Sequence, residues 1–297
     1  MDLGVHLPLV RFGEQQLSLE RLARTVDGAR DGGFAAVSAN DHLVFRAPWL
    51  DGLTALASMV ERSGSLALAT TVALAVIRGP VPLAKALAAL DVLSDGRLEV
   101  GLGPGSSRAD YDAAGIAFEE RWQRFDEALA MIRALLNGGP PPSGLRHYPP
   151  PPELAPTPRR KVPLWVASWG SRAGLARVAR AGDGWLASAY NTTPERFEAA
   201  RAELADDFPC ALATMWTWVT DDRAAAERML VDVLAPFLNR NPDTLRGQVC
   251  VGPAEHCAEL LSRYAAAGCR RVYLWPLGDE QRQLERVAVE AAPMIEP

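Results

Sequence analysis

The chain carries 297 residues, 48% hydrophobic and 23% charged, with a formal net charge of -5. This apolar content can build a large core, and the length exceeds a two-layer domain while suiting one α/β barrel. The acidic balance offers no basic field for nucleic acid, and the opening MDLGVHLPLV lacks the positive run and long apolar stretch of a secretion signal or membrane span.

Alternation of Leu3, Val5 and Leu7 with Gly4 and His6 predicts a first strand over 2–7. Ser18 is placed to cap a helix whose Leu19, Leu22, Val26 and Ala29 share one face and which closes at Gly32 and Gly33. A second strand over 34–39 leads directly into Asn40-Asp41-His42, and polar residues at a strand's C-terminal end are where a parallel barrel keeps its chemistry. A short helix over 53–60 and a third strand over 66–73 follow. The next helix, starting near Pro82, carries Ala84, Leu87, Leu90, Val92 and Leu93 and stops at Ser94-Asp95-Gly96. The fourth strand, over 97–103, runs out in glycines at every second position, Gly101, Gly103 and Gly105. The clearest helix spans 119–136, with Trp122, Phe125, Leu129, Ile132 and Leu136 at helical spacing.

Residues 138–163 then hold ten prolines, including Pro149 to Pro152 in a row, and can be neither helix nor central strand. Such a stretch is a linker between domains or an insertion or lid on one domain. The alternation of strands and helices resumes beyond it, so one domain over 1–297 with an insertion or lid is expected. Strands follow over 162–168, 184–188, 210–219 and 271–275, separated by helices over 171–181, 194–205, 223–237 and 253–267, with a closing helix over 280–292. Eight strands alternating with helices is the count of a (β/α)8 TIM barrel.

The glycine-rich strand end reads as the floor of a cofactor site, because glycines there remove side chains that would hold a flat ligand off the backbone. A tight strand-to-loop transition and a dinucleotide-binding turn are the other readings; the second is disfavoured because Ser106 stands at the third glycine position of G-x-G-x-x-G. His42, next to Asp41 at a strand end, suits proton transfer near neutral pH, and a packed histidine with a loop-capping Asp41 fits the same residues. Ser168-Trp169-Gly170-Ser171 lies between a strand and a helix N-terminus, where backbone N–H groups favour a phosphate; simple capping by Ser171 is the alternative. Ser188, after the next strand, can reach the same phosphate. Phe45, Trp49, Trp169, Trp216, Trp218 and Trp275 can line a site for an apolar or flat substrate, or serve as packing. The four cysteines show no C-x-x-C spacing, which points to reduced thiols in a cytoplasmic protein, and four isolated histidines without H-x-H or H-E-x-x-H disfavour a metal.

Several of these segments together carry a resemblance. They are NDH at 40–42, LSDGRLEVGLGPGSSRADYDAAGIAFEERWQRFDEAL from Leu93, VPLWVASWGSRAGLARVARAGDGWLAS from Val162, and VGPAEHCAELLSRYAAAGCRRVYL nearer the C-terminus. The chain is similar to the bacterial luciferase-like flavin and deazaflavin oxidoreductases, collinearly over nearly its whole length. The resemblance implies a barrel that binds coenzyme F420 or FMN at the C-terminal strand ends, in proteins that are often homodimers. It also implies an acid or base role for His42 beside the ring, support from Asp41, and a bulge with a non-prolyl cis peptide at Thr71-Val72 that props the ring.

The chain departs from the family pattern at three places. Ala167 and Ser168 stand where members usually have two glycines, and Asn191 stands where some deazaflavin members carry a lysine. Ser106, Ser107 and Arg108 stand where the sugar-phosphate dehydrogenases place a glutamate, which disfavours a sugar-phosphate substrate. The leading expectation is an oxidoreductase that moves hydride between coenzyme F420 and a small organic substrate. An FMN-dependent monooxygenase and a non-catalytic flavin or deazaflavin binder are the alternatives.

Overall fold

The computed structural model describes residues 1–12, 15–140, 142–151 and 153–296. Nine strands form one parallel sheet: β1 (Asp2–His6), β2 (Ala36–Ala39), β3 (Ala67–Leu74), β4 (Leu98–Gly103), β5 (Leu164–Ala167), β6 (Gly184–Ser188), β7 (Cys210–Val219), β8 (Cys250–Gly252) and β9 (Arg271–Pro276). Eight of them close the expected (β/α)8 barrel: β1 to β7 pair in sequence order, β7 pairs on to β9, and β9 returns to β1. The short β8 is an addition to that count. It pairs with Thr217, Trp218 and Val219, the part of β7 that runs on past the β6 pairing.

Outside the strands lie α1 (Leu19–Asp31), α2 (Gly52–Ser58), α3 (Pro80–Leu93), α4 (Arg108–Ala114), α5 (Arg121–Asn137), α6 (Arg172–Ala181) and α7 (Pro194–Arg201). Ser18 caps α1 as its position predicts, its hydroxyl accepting from the Arg21 N–H at 3.1 Å. After β7, helix Arg223–Arg228 passes into a π-helical stretch, Met229–Leu234, and a last turn, Ala235–Leu238. Helices Ala254–Ala266 and Glu280–Arg286 complete the ring.

Two expectations about helix faces fail. The buried stripe of α3 runs through Leu83, Leu87 and Leu90, so Val92 and Leu93 fall off it and are exposed. Trp122 is also exposed, because the first turn of α5 presents it between the guanidinium groups of Arg121 and Arg177, 5.3 and 4.8 Å from its ring.

Outward-facing strand residues such as Val37, Leu68, Val100 and Val166 pack against the helices in the main core. Ala36, Ala69, Leu186, Ala211, Ala213 and Tyr273 fill the lumen. Alternation then turns His6, Ser38, Gly103, Ser188 and Trp275 inward at the C-terminal strand ends. The opposite end is plugged: Arg271 donates to both oxygens of Glu99 at 3.0 and 2.8 Å, and the Tyr273 hydroxyl donates to the same carboxylate at 3.4 Å.

The proline-rich segment lies along the outer wall. The N–H groups of Arg146 and His147 donate to Glu127 on α5, each at 2.9 Å, Lys85 on α3 reaches the Ala155 carbonyl, and Arg159 pairs with Asp95. Among the described residues its hydrogen bonds go to these helices and loops and, where the Pro163 carbonyl accepts the Val100 N–H at 3.0 Å, to the middle of β4, and not to the C-terminal strand ends that a lid would cover. Pro141 and Pro152 of the proline runs lie outside the described residues. No described helix is long and apolar enough to cross a membrane.

Candidate active site

The site begins where β3 loses its regularity. Its register against β4 shifts between Thr70 and Ala73, and the Thr71-Val72 peptide is cis, as the resemblance implied. Gly101 and Gly103 of β4 lie across from this bulge. A Cβ on Gly101 would overlap the Thr70 carbonyl oxygen, and one on Gly103 would stand 2.7 Å from a Val72 methyl. The two glycines therefore make room for the neighbouring strand. The floor expected of them is the β3 bulge that they admit, and Gly105, with φ 88, turns the chain out of β4.

His42 leaves the end of β2 through Asn40, and a buried histidine fixes that exit. His6 accepts the Asn40 N–H at Nε2, 3.0 Å away, so its proton sits on Nδ1 and is donated to the Leu7 carbonyl at 2.7 Å. Burial in the lumen lowers its pKa to about 3 and keeps it neutral.

Asp41 turns away from His42. Its carboxylate accepts from Arg78 at 2.5 and 2.7 Å and from the Leu74 N–H at 3.2 Å, and Arg78 also reaches Asp51. The support of His42 expected from Asp41 is thus corrected, since a bidentate arginine has taken that carboxylate. The partner of His42 is Asp110 of α4, 2.8 Å from Nδ1. Its other oxygen accepts the N–H groups of Leu43 and Val44 at 2.9 and 2.8 Å, so one buried carboxylate holds both the ring and the turn that carries it. Nε2 is left without a partner among the described residues, on a side chain 20% exposed. Sequence reasoning missed Asp110 because the pair is 68 residues apart. The available signal was an acid just beyond Ser106-Ser107-Arg108.

Aromatic rings wall one side of this group. Phe45 and Trp49 lie 4.8 and 4.7 Å from the His42 ring, and Phe237 lies 5.4 Å from Phe45. Trp275 stacks on His6 at 3.5 Å and Trp216 on Trp275 at 4.1 Å. Of the aromatics singled out in the sequence, Trp169 is instead exposed on the β5–α6 loop, and Trp218 packs against the cluster as a half-buried neighbour.

Ser168 to Ser171 join β5 to α6. The Ser168 hydroxyl accepts the Gly170 N–H and the Ser171 hydroxyl accepts the Gly174 N–H, each at 3.2 Å. Both act as acceptors, which leaves each hydroxyl proton available to an anion at the α6 N-terminus. Ser188 is arranged differently. Its oxygen accepts from the Asn191 amide at 3.1 Å and lies 2.9 Å from the Thr214 hydroxyl, which itself donates to the Ala213 carbonyl at 2.7 Å. The one Ser188 proton is therefore used on Thr214, and the expected donation from Ser188 to a phosphate does not fit this geometry.

Ser38 Oγ, Asn40 Oδ1 and Thr71 Oγ1 are buried at the strand ends without hydrogen-bond partners. Buried polar groups are ordinarily paired. The heteroatom edge of a flavin or deazaflavin offers matching donors and acceptors, so the residues present fit such a ring. Among the described residues, no group of three or more His, Cys, Asp or Glu side chains could hold a metal ion.

The model of the luciferase-like monooxygenase family matches residues 1–243. The chain is 33% identical over 237 residues to the F420-dependent hydroxymycolic acid dehydrogenase of Mycobacterium tuberculosis, a match that covers 73% of this chain and 64% of that protein, under two thirds of its length. It is 29% identical to the F420-dependent glucose-6-phosphate dehydrogenase of Beutenbergia cavernae, over 95% of each chain. Its backbone superposes with a TM-score of 0.81 on an F420-dependent secondary alcohol dehydrogenase in complex with an F420-acetone adduct, at 18% identity over 100% of this chain and 99% of that one. The TM-score is 0.82 with monooxygenase RslO1 from Streptomyces bottropensis, at 21% identity over 99% of each. These two likenesses speak for the barrel alone. The family match, spanning four fifths of the sequence, says more: the chain belongs to the luciferase-like monooxygenase family.

Proposed function

We propose that this protein is an oxidoreductase that moves hydride between coenzyme F420 and a carbon bearing a hydroxyl or carbonyl group on a small, largely apolar substrate. The observation that carries this reading is His42, oriented through Nδ1 by Asp110 with Nε2 free at the strand ends beside the aromatic wall. Relatives named as F420-dependent dehydrogenases support the deazaflavin over FMN.

The bound deazaflavin supplies the carbon that takes or returns hydride. In substrate oxidation, His42 Nε2 accepts the hydroxyl proton as hydride leaves the adjacent carbon, and Asp110 stabilises the imidazolium that forms. In reduction, the same nitrogen returns the proton to the carbonyl oxygen. His6 and the Asp41–Arg78 pair fix the two ends of the turn. The β3 bulge at Thr71 and Val72 would support the ring, Ser168 to Ser171 with the α6 N-terminus would hold its phosphate, and the wall of Phe45, Trp49 and Phe237 would exclude water. One domain over 1–297 with an insertion at 138–163, a cytoplasmic location and a homodimer complete the reading.

The test is turnover of a secondary-alcohol panel with F420 by wild type and His42→Ala. The variant should lose about 10²–10⁴ in kcat with F420 affinity unchanged. Equal turnover would remove His42 from the chemistry, and oxygen consumption with reduced FMN would favour the monooxygenase instead.

A further inference from the structure

Phe237 is the ring on which the aromatic wall converges. It meets Phe45 at 5.4 Å, Trp49 at 6.3 Å with the planes 12° apart, Trp216 at 5.7 Å and Phe12 at 4.7 Å. Its own backbone holds it weakly. The Ala235–Leu238 turn follows the π-helical stretch, Pro236 brings no N–H to tie it to the turn before, and Asn239, with φ 52, ends it at once.

The facing loop is held firmly. Between His42 and α2, Asp110 accepts the N–H groups of Leu43 and Val44, the Pro48 carbonyl accepts the Arg11 N–H at 3.2 Å, and the Leu50 N–H donates to the Leu9 carbonyl at 2.8 Å. Arg46 stands in the middle of that anchored stretch. Its Nη2 donates to the Pro236 carbonyl at 2.6 Å, and its Cζ lies 5.8 Å from the Phe45 ring and 5.6 Å from the Phe237 ring. Among the described residues, this is the one hydrogen bond between the two segments, and the Arg46 guanidinium makes no other. A guanidinium that engages no carboxylate there, and lies instead against two rings from opposite elements, is placed to fasten one element to the other.

We propose that Arg46 is a positioning residue: it fastens the Ala235–Leu238 turn to the loop that carries His42, and so seats Phe237 in the aromatic wall against which the apolar part of the substrate rests. Arg46 touches neither substrate nor cofactor and acts through Phe237. The use of the wall by a substrate rests on the function proposed above; the fastening itself does not.

The full, cofactor-free chain is compared by hydrogen–deuterium exchange and mass spectrometry as wild type, Arg46→Ala and Arg46→Lys. In Arg46→Ala the amides of residues 229–241 should exchange about tenfold faster while those of α1 stay unchanged. Arg46→Lys, which keeps a donor and the charge but not the flat group over the rings, should fall between. Unchanged exchange in Arg46→Ala, or an increase spread evenly over the chain, overturns the fastening. With F420 and a secondary alcohol, Arg46→Ala and Phe237→Ala should each raise KM about tenfold with kcat altered by less than about twofold, and the double variant should match Phe237→Ala. Losses that add in the double variant overturn the claim that Arg46 acts through Phe237. Absence of turnover in wild type would count against the proposed function and leave the exchange comparison standing.

Discussion

His42 owes its orientation to Asp110, and that dependence sets a prediction at the residue scale. Asp110→Asn would present an amide N–H to Nδ1 and drive the histidine proton to Nε2, the nitrogen that has to accept one. We expect kcat to fall by at least about a hundredfold with little change in F420 affinity, visible in steady-state kinetics across pH. Asp41→Asn should act on stability instead, because it removes the charge and turns one of the two oxygens facing the half-buried Arg78 and the Leu74 N–H into an N–H donor; a loss of roughly 2–3 kcal/mol in urea unfolding is expected. His6 adds a pH dependence of definite sign. Its folded pKa of about 3 lies below the ordinary 6.5, so between those values the unfolded chain binds a proton that the folded one does not. Stability present above pH 6.5 is therefore lost as the pH falls, by roughly 2–3 kcal/mol at about pH 4.5. Asp51 and Asp183, whose arginine and lysine partners hold them below the usual carboxylate value, lose their contribution only as the pH falls through that value and so add little at about pH 4.5; His6→Asn should flatten the loss in urea midpoints measured at the two pH values. His42 was legible in the sequence because it sits directly after a strand in a recognisable tripeptide. Its carboxylate was misassigned to the adjacent Asp41, because adjacency in sequence does not say which side chain Arg78 will claim.

At the scale of elements, the site depends on a close fit between β3 and β4. Gly103→Ala places a methyl 2.7 Å from Val72 and must push the bulge aside, which should cost about 1–3 kcal/mol and weaken cofactor binding together. Gly247→Ala, with nothing within 4 Å of the added carbon, is the control and should leave both unchanged. Thermal unfolding and F420 titration of the two variants measure this. The glycine alternation was readable, but its partner was not, since what a strand glycine makes room for lies on the next strand. The three-residue β8 gave no alternation to detect. The helix expected over 223–237 contains a π stretch at Met229–Leu234, which changes the register of the turn behind it. Phe237 reaches the aromatic wall beyond that stretch, where helical periodicity no longer reports which way a residue faces.

At the scale of the whole molecule, the barrel was the most legible feature, because eight apolar segments spaced by helices permit few other architectures. The plug of Glu99, Arg271 and Tyr273 closes one end, so the chemistry collects at the other, where the strand ends bring residues from β2, α4 and the β5–α6 loop to one mouth. The account stands on that mouth taking a deazaflavin. The measurement that bears on it most directly is parallel titration of the purified protein with coenzyme F420 and with FMN, following the fluorescence of each. The account predicts micromolar binding of F420, about -8 kcal/mol, with FMN much weaker. Tight binding of FMN alone, or of neither, would contradict it.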